Sequence, residues 1–288
     1  MYFSFFLLIL QKIITKMLKF ISFGSGSSGN CYYLSTATDA ILIDTGVGIR
    51  LLKKHAREYG VNLSLVSNIL ITHDHADHIK AVGVVSHECH LPVWTTDKIH
   101  HGINRNYCVP KKVDAALVRN IEKERTYQVG EFSVTAFDVP HDSTECVGYC
   151  IEVEDETVCI ITDVGTITDT IKGYISRANR LVIEANYDRE MLVNGKYPNF
   201  LKKRIMSDVG HTSNDECAEA LVENLTDRIK TVCLCHLSEE NNHPELARKS
   251  VETVMRAHGI IPDKDFDLMV LRRTLPTMIF ETNDNEDD

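Results

Sequence analysis

The sequence holds no stretch long and apolar enough to cross a bilayer: the run Phe5-Phe6-Leu7-Leu8-Ile9-Leu10 falls well short of the roughly 20 residues a spanning helix needs. It also lacks the basic flank and small-residue cleavage site of a signal peptide, so no membrane role is expected. Excess cationic charge is missing too. With a net charge of −10 and a pI near 5.7, the chain presents no broad electrostatic footprint for nucleic acid, and any such contact must be local. Lys111-Lys112 and Lys202-Lys203-Arg204 are the candidate basic spots, although charges of this kind on a helix more often form a solvated face.

No Pro/Gly/Ser-rich linker, low-complexity tract or fixed-period repeat divides the 288 residues, which argues for one large domain over residues 17–282. The acidic end, 283–288, reads as a disordered tail. Residues 1–16 read as an apolar leader that need not be native, because Met17 opens the strand-like Met17-Leu18-Lys19-Phe20-Ile21-Ser22-Phe23; mass spectrometry of the native N-terminus tests this. Nine cysteines occur without a Cys-x-x-Cys pair, which predicts reduced thiols in a cytoplasmic protein, all nine buried and structural.

What the chain does contain is His73-Asp74-His75-Ala76-Asp77-His78, directly after the apolar Ile69-Leu70-Ile71-Thr72. A buried strand that ends in such residues presents them at a sheet edge. His73 and His75, two apart, point the same way and can grip one ion; Asp77 and His78 follow a turn and can face a second. Imidazole and carboxylate without thiolate suit zinc or manganese, with iron also possible. The bland alternative, a solvated polar loop, is a poor account of so dense a cluster.

Hydrophobic patterning predicts strands at Leu18–Phe23, Cys31–Ser35, Ala40–Asp44, Ile69–Thr72, Pro92–Trp94, Phe132–Val139, Val147–Glu152, Thr157–Thr162, Arg180–Glu184 and Thr231–Cys235. Helices are predicted at Val47–Tyr59, Ile79–Ser86, Asp97–Asn104, Asp215–Asn224 and Pro244–His258. Strands and helices without a regular βα alternation imply an α/β (α+β) class, two packed sheets with helices outside. Four further polar residues sit at or just past apolar strands: Asp44, His141, Asp163 and His236. Each alone reads as a turn or cap residue; their repeated placement suggests ligands. His100, His101 and His243 lie away from these motifs and are expected at the surface, and the Ser25–Asn30 loop could approach an anion through its backbone or simply form a tight turn.

In this order the residues resemble the motifs of the metallo-β-lactamase superfamily, from Met17 onward. The resemblance implies a four-layer αββα sandwich with a two-metal site: one divalent ion held by His73, His75 and His141, a second by Asp77, His78 and His236, and Asp163 bridging them. Asp44 and Asp74 would support the ligands from behind. Phe23-Gly24-Ser25-Gly26-Ser27-Ser28-Gly29-Asn30-Cys31, Gly210-His211-Thr212-Ser213-Asn214 and His236-Leu237-Ser238-Glu239-Glu240-Asn241-Asn242 resemble the YycJ/WalJ group of exonucleases, and the place of His211 resembles the leaving-group histidine of the ribonuclease Z branch. Without the resemblance, His211 is equally well a residue just ahead of a helix capped by Ser213 or Asn214.

The function so implied is a dinuclear phosphodiesterase acting as a 5′-to-3′ DNA exonuclease, in which a hydroxide activated between the ions attacks the phosphodiester and His211 assists the leaving group, with Asp77 also in the catalytic set. Ser27, Asn30 and Ser213 are weaker candidates for substrate contact. The partner would be nucleic acid, at DNA ends; RNA stays open. A small-molecule hydrolase of the same fold, acting on a cyclic phosphodiester, lactone or thioester, is the competing enzyme reading, and a metal-binding regulator without turnover is a third.

Overall fold

The structure is a computed structural model, and it describes residues 18–282. The leader and the acidic tail lie outside the described residues.

The strands β1 (Leu18–Gly24), β2 (Cys31–Ser35), β3 (Ala40–Ile43), β4 (Val66–Leu70), β5 (Val93–Thr95) and β6 (Val118–Asn120) build one sheet, joined at its edge by the last strand, β14 (Thr277–Thr282). A second sheet holds β7 (Thr126–Val129), β8 (Phe132–Asp138), β9 (Val147–Val153), β10 (Glu156–Ile161), β11 (Arg180–Glu184), β12 (Thr231–Cys235) and β13 (Asp267–Val270). In each sheet the early strands pair antiparallel, while β3 to β6 and β10 to β13 run parallel. Parallel strands need crossovers. These are supplied by α1 (Ile49–Glu58), α2 (Ala76–Ile79), α3 (Val82–Cys89), α4 (Asp97–Arg105), α5 (Asp169–Arg177), α6 (Arg189–Asn194), α7 (Asn199–Ile205), α8 (Asn214–Asn224) and α9 (Pro244–Ala257).

The βα alternation is therefore regular in the second half of each sheet, contrary to the sequence reading. Helix α5, with Thr168 as its N-cap, completes the β10–β11 crossover, and the predicted helix at Ile79–Ser86 is broken into α2 and α3 at Lys80-Ala81.

Why the strands lie flat between layers is legible in their side chains. Ala40-Ile41-Leu42-Ile43 and Val158-Cys159-Ile160-Ile161 are buried on both faces, so they read as continuous apolar runs rather than alternations. Phe20, Tyr32, Ile41 and Ile69 meet Tyr149, Ile151 and Ile160 between the sheets. The Tyr149 hydroxyl donates to the Ile71 carbonyl at 2.7 Å, tying the second sheet to the segment that carries the histidine run. Ile171, Leu221 and Val251 cover the outer face of the second sheet, giving an αββα sandwich. Three residues are placed differently from expectation. Cys89 is exposed at the last residue of α3 and Cys108 half-buried in the loop after α4, so neither lies on a buried strand. His100 is buried, since it shares the inward face of α4 with Ile99 and Ile103, and its Nε2 lies 3.2 Å from the Arg119 carbonyl.

Candidate metal centre

The polar groups that matter here sit just past the C-terminal ends of strands, most of them parallel strands, along the edge where open α/β sheets place their ligands, while β8 pairs antiparallel with both its neighbours. Asp44 follows β3, the histidine run follows β4, His141 follows β8, Asp163 follows β10 and His236 follows β12. Asp44, Asp163 and His236 adopt left-handed backbone conformations, with φ of 60°, 56° and 53°. Non-glycine residues enter this region at a cost, and here three residues of one cluster do so.

The groups converge. His73, His75 and His141 each offer a nitrogen within 4.8 Å of the others, and so do the donor atoms of Asp77, His78 and His236. Asp163 stands between the two sets: one oxygen is 3.2 Å from His78 Nε2 and the other 3.7 Å from His141 Nε2. The expected seven residues therefore share one cluster.

Partners behind the rings decide which nitrogen faces inward. His78 Nδ1 donates to Asp44 at 2.7 Å, His141 Nδ1 to the Gly210 carbonyl at 3.0 Å, and His236 Nδ1 to Glu184 at 3.1 Å. Each Nε2 is thereby left with a lone pair for the cluster. Asp44 also accepts from the Thr72 amide and hydroxyl, so one carboxylate holds both ends of the ligand turn. Asp74 accepts from the amide and hydroxyl of Thr144, three residues past His141, and joins two ligand loops without touching a ligand ring.

The donor set fits a divalent metal ion. The Nε2 of His73 is fully buried and has no hydrogen-bond partner, a cost that a coordinate bond removes. Charge points the same way. Burial opposes a charge on His78, yet Asp44, Asp163 and Asp77 outweigh it and push this imidazole up to about 10. Asp163, Asp77 and Glu184 raise His236 well above its usual value against the same cost, whereas burial and the neighbouring His78 hold His73 well below. Asp44, Asp77, Asp163 and Glu184 thus surround a small volume with anions and draw positive charge into it.

Glu184, at the end of β11, was missed by the sequence reading although it follows Leu181-Val182-Ile183 just as Asp44 follows Ile41-Leu42-Ile43. It is fully buried. One oxygen accepts from the Val164 and Thr212 amides at 2.8 and 3.1 Å, the other from His211 Nδ1 at 2.8 Å and His236 Nδ1 at 3.1 Å. Burial would raise its pKa, but His211 and His236 outweigh that and hold the carboxyl down at about 2. His211 in turn is raised by Glu184 against the cost of burial. Asp142 was missed as well; it pairs with Arg204 and lies 3.5 Å from His141 Nε2.

The weaker substrate candidates separate. Ser27 is exposed on a cavity of about 270 Å³ that also reaches His211 and His236. Asn30 is buried, with Nδ2 2.8 Å from His78 Nε2, so it faces the ligand cluster rather than solvent. Ser213 is buried and its hydroxyl forms a reciprocal cap with Glu216 at the start of α8; the capping role accounts for it.

Comparison with known proteins decides the family. Residues 39–236 match the family described as "Beta-lactamase superfamily domain". The chain is 36% identical over 266 residues to the exodeoxyribonuclease YycJ of Bacillus anthracis, covering 91% of this chain and 98% of that protein. The chain belongs to the metallo-β-lactamase superfamily. Within it the chain falls in the YycJ/WalJ group, for it is also 34% identical over 233 residues to the exodeoxyribonuclease WalJ of Streptococcus pneumoniae serotype 2 (strain D39 / NCTC 7466), covering 81% of this chain and 86% of that one. The metallo-β-lactamase fold protein YhfI of Bacillus subtilis superposes with a TM-score of 0.67 at 17% identity, over 92% of this chain and all of that one, which shows a shared fold.

Proposed function

We propose that this protein is a metal-dependent phosphodiesterase that degrades DNA from its ends as a 5′-to-3′ exonuclease. The observation that carries the reading is the Glu184–His211–His236 unit beside the donor cluster, in a chain matched over most of its length by exodeoxyribonucleases. His73, His75 and His141 would hold one ion, Asp77, His78 and His236 a second, with Asp163 between them. Zinc or manganese suits these donors. A bound ion pair lowers the pKa of a water and neutralises the non-bridging oxygens of a phosphodiester.

The chain's own residues supply the rest. Glu184 fixes His211 with Nδ1–H toward the carboxylate, so Nε2 faces the cavity shared with His236 and Ser27. Protonated, it donates to the departing 3′-oxygen of the terminal nucleotide, a step typically worth 10²–10⁴ in rate. Asp44 keeps His78 oriented, and Asp142 with Arg204 braces the His75–His141 side.

Nine cysteines, all of them free, support placing the protein in the cytoplasm. The competing reading, a small-molecule hydrolase, draws on the acidic net charge and the modest cavity. Metal-loaded protein incubated with 5′- and 3′-labelled DNA and RNA separates the two. Mononucleotide release from the 5′ end of DNA is expected; intact DNA alongside hydrolysis of a lactone or thioester would overturn the reading.

A further inference from the structure

The crossover between β11 and β12 carries more chain than a sheet connection needs. Before α8 begins, it inserts the short helices α6 and α7, which pack on a small core of their own made by Tyr187, Leu192 and Ile205 with Tyr197 and Leu201. Residues 189–206 hold five cationic side chains, Arg189, Lys196, Lys202, Lys203 and Arg204, against one anion, Glu190. That is a local charge of +4 in a chain whose total is −10, so the other residues together carry −14.

The two faces of α7 are used differently. Leu201 and Arg204 wall the cavity that opens on His211 and His236. Phe200 and Lys203, also three apart and so on one face, point outward; Phe200 is 74% exposed, and Lys203 and Lys196 are exposed without an ion-pair or hydrogen-bond partner among the described residues. A large aromatic ring in water, one helical turn from Lys203 on the helix whose Leu201 and Arg204 wall the cavity, is a poor packing solution but a good stacking platform for a base next to a phosphate. The cavity walled by this helix, about 270 Å³, lies below the roughly 300–1,000 Å³ of pockets that enclose drug-sized ligands, so it is too small for a base pair.

We propose that the α6–α7 hairpin is the single-strand docking surface of this site: Phe200 stacks on an unpaired base, Lys196 and Lys203 hold adjacent phosphates, and the strand end passes into the cavity walled by Leu201 and Arg204. The proposal rests on the phosphodiesterase reading and adds the form of substrate, an unpaired polynucleotide end.

The test measures fluorescence anisotropy of a labelled, 5′-phosphorylated oligo-dT and its blunt duplex on the full chain. The wild type is expected to prefer the single strand. Phe200→Ala should weaken its binding roughly 5- to 150-fold, the equivalent of about 1–3 kcal/mol of stacking, and Phe200→Trp should restore it. Each of Lys196→Gln and Lys203→Gln should flatten the dependence of log K on log salt by about 0.7. No binding by the wild type, unchanged affinity in Phe200→Ala, or a change only in self-association would overturn the proposal. Turnover of bis(p-nitrophenyl) phosphate by the unaltered metal-loaded protein judges the phosphodiesterase reading separately.

Discussion

Replacing Glu184 by Gln changes one atom's chemistry at the junction of two imidazoles. A glutamine has a single acceptor oxygen, whereas Glu184 accepts from two backbone amides on one side and two ring nitrogens on the other. The Val164 and Thr212 amides cannot change, so they take the oxygen and the NH2 group turns to His211 and His236. Both rings must then accept at Nδ1 and carry their proton on Nε2. For His236 that nitrogen lies 3.4 Å from Asp77 inside the donor cluster, where a protonated nitrogen cannot bind an ion. The second ion should bind 10–100-fold more weakly, or about 1.4–2.7 kcal/mol. His211 also loses the anion that favours its protonated form, so kcat at saturating metal should fall by a further factor of 10² or more. Calorimetric titration with Mn²⁺ reads stoichiometry and affinity, and turnover of 5′-phosphorylated single-stranded DNA reads kcat. Two ions bound at wild-type affinity with kcat within threefold of wild type would refute the tautomer argument.

Gly46→Ala should disturb the centre from behind, because a β-carbon there would stand 1.5 Å from the Asp77 carbonyl oxygen; a loss of about 1–3 kcal/mol, read as a lowered Tm, should accompany reduced metal stoichiometry, and an unchanged Tm would contradict this contact. Chelating the metal should lower Tm by roughly 5–10 °C for each site held at about a hundred times its Kd, measured by calorimetry with and without EDTA; equal melting points would argue against a site built into the native state. His211→Ala should leave metal content intact while kcat on DNA falls about 10²–10⁴-fold, and full activity would remove it from the leaving-group role.

The histidine run was legible because a strand-ending cluster of this density has no competing explanation in packing. Asp44, Asp163 and His236 were legible as a repeated placement, but their left-handed backbone was not, since no glycine marks it. Periodicity put His73 and His75 on one side; the division of seven residues into two sets rested on family resemblance, because long-range convergence leaves no local trace. Glu184 carries the same strand-end signal and was passed over only because no motif drew attention to it. The missed strands are short or at sheet edges: Val118-Arg119-Asn120 has one strongly apolar residue, and Thr126–Val129 alternates with exposed polar groups. His100 lies on the apolar stripe of α4, and that position, not its polar character, decides its burial.

The donors come from both halves of the chain. His73, His75, Asp77 and His78 hang from the first sheet, and His141, Asp163 and His236 from the second, with His236 last to be synthesised. A polypeptide still emerging from the ribosome, or truncated before that residue, lacks one member of the proposed donor set however well its earlier strands have formed. On the proposed reading, catalytic competence is thus withheld until synthesis has passed His236 at the last strand end of the cluster.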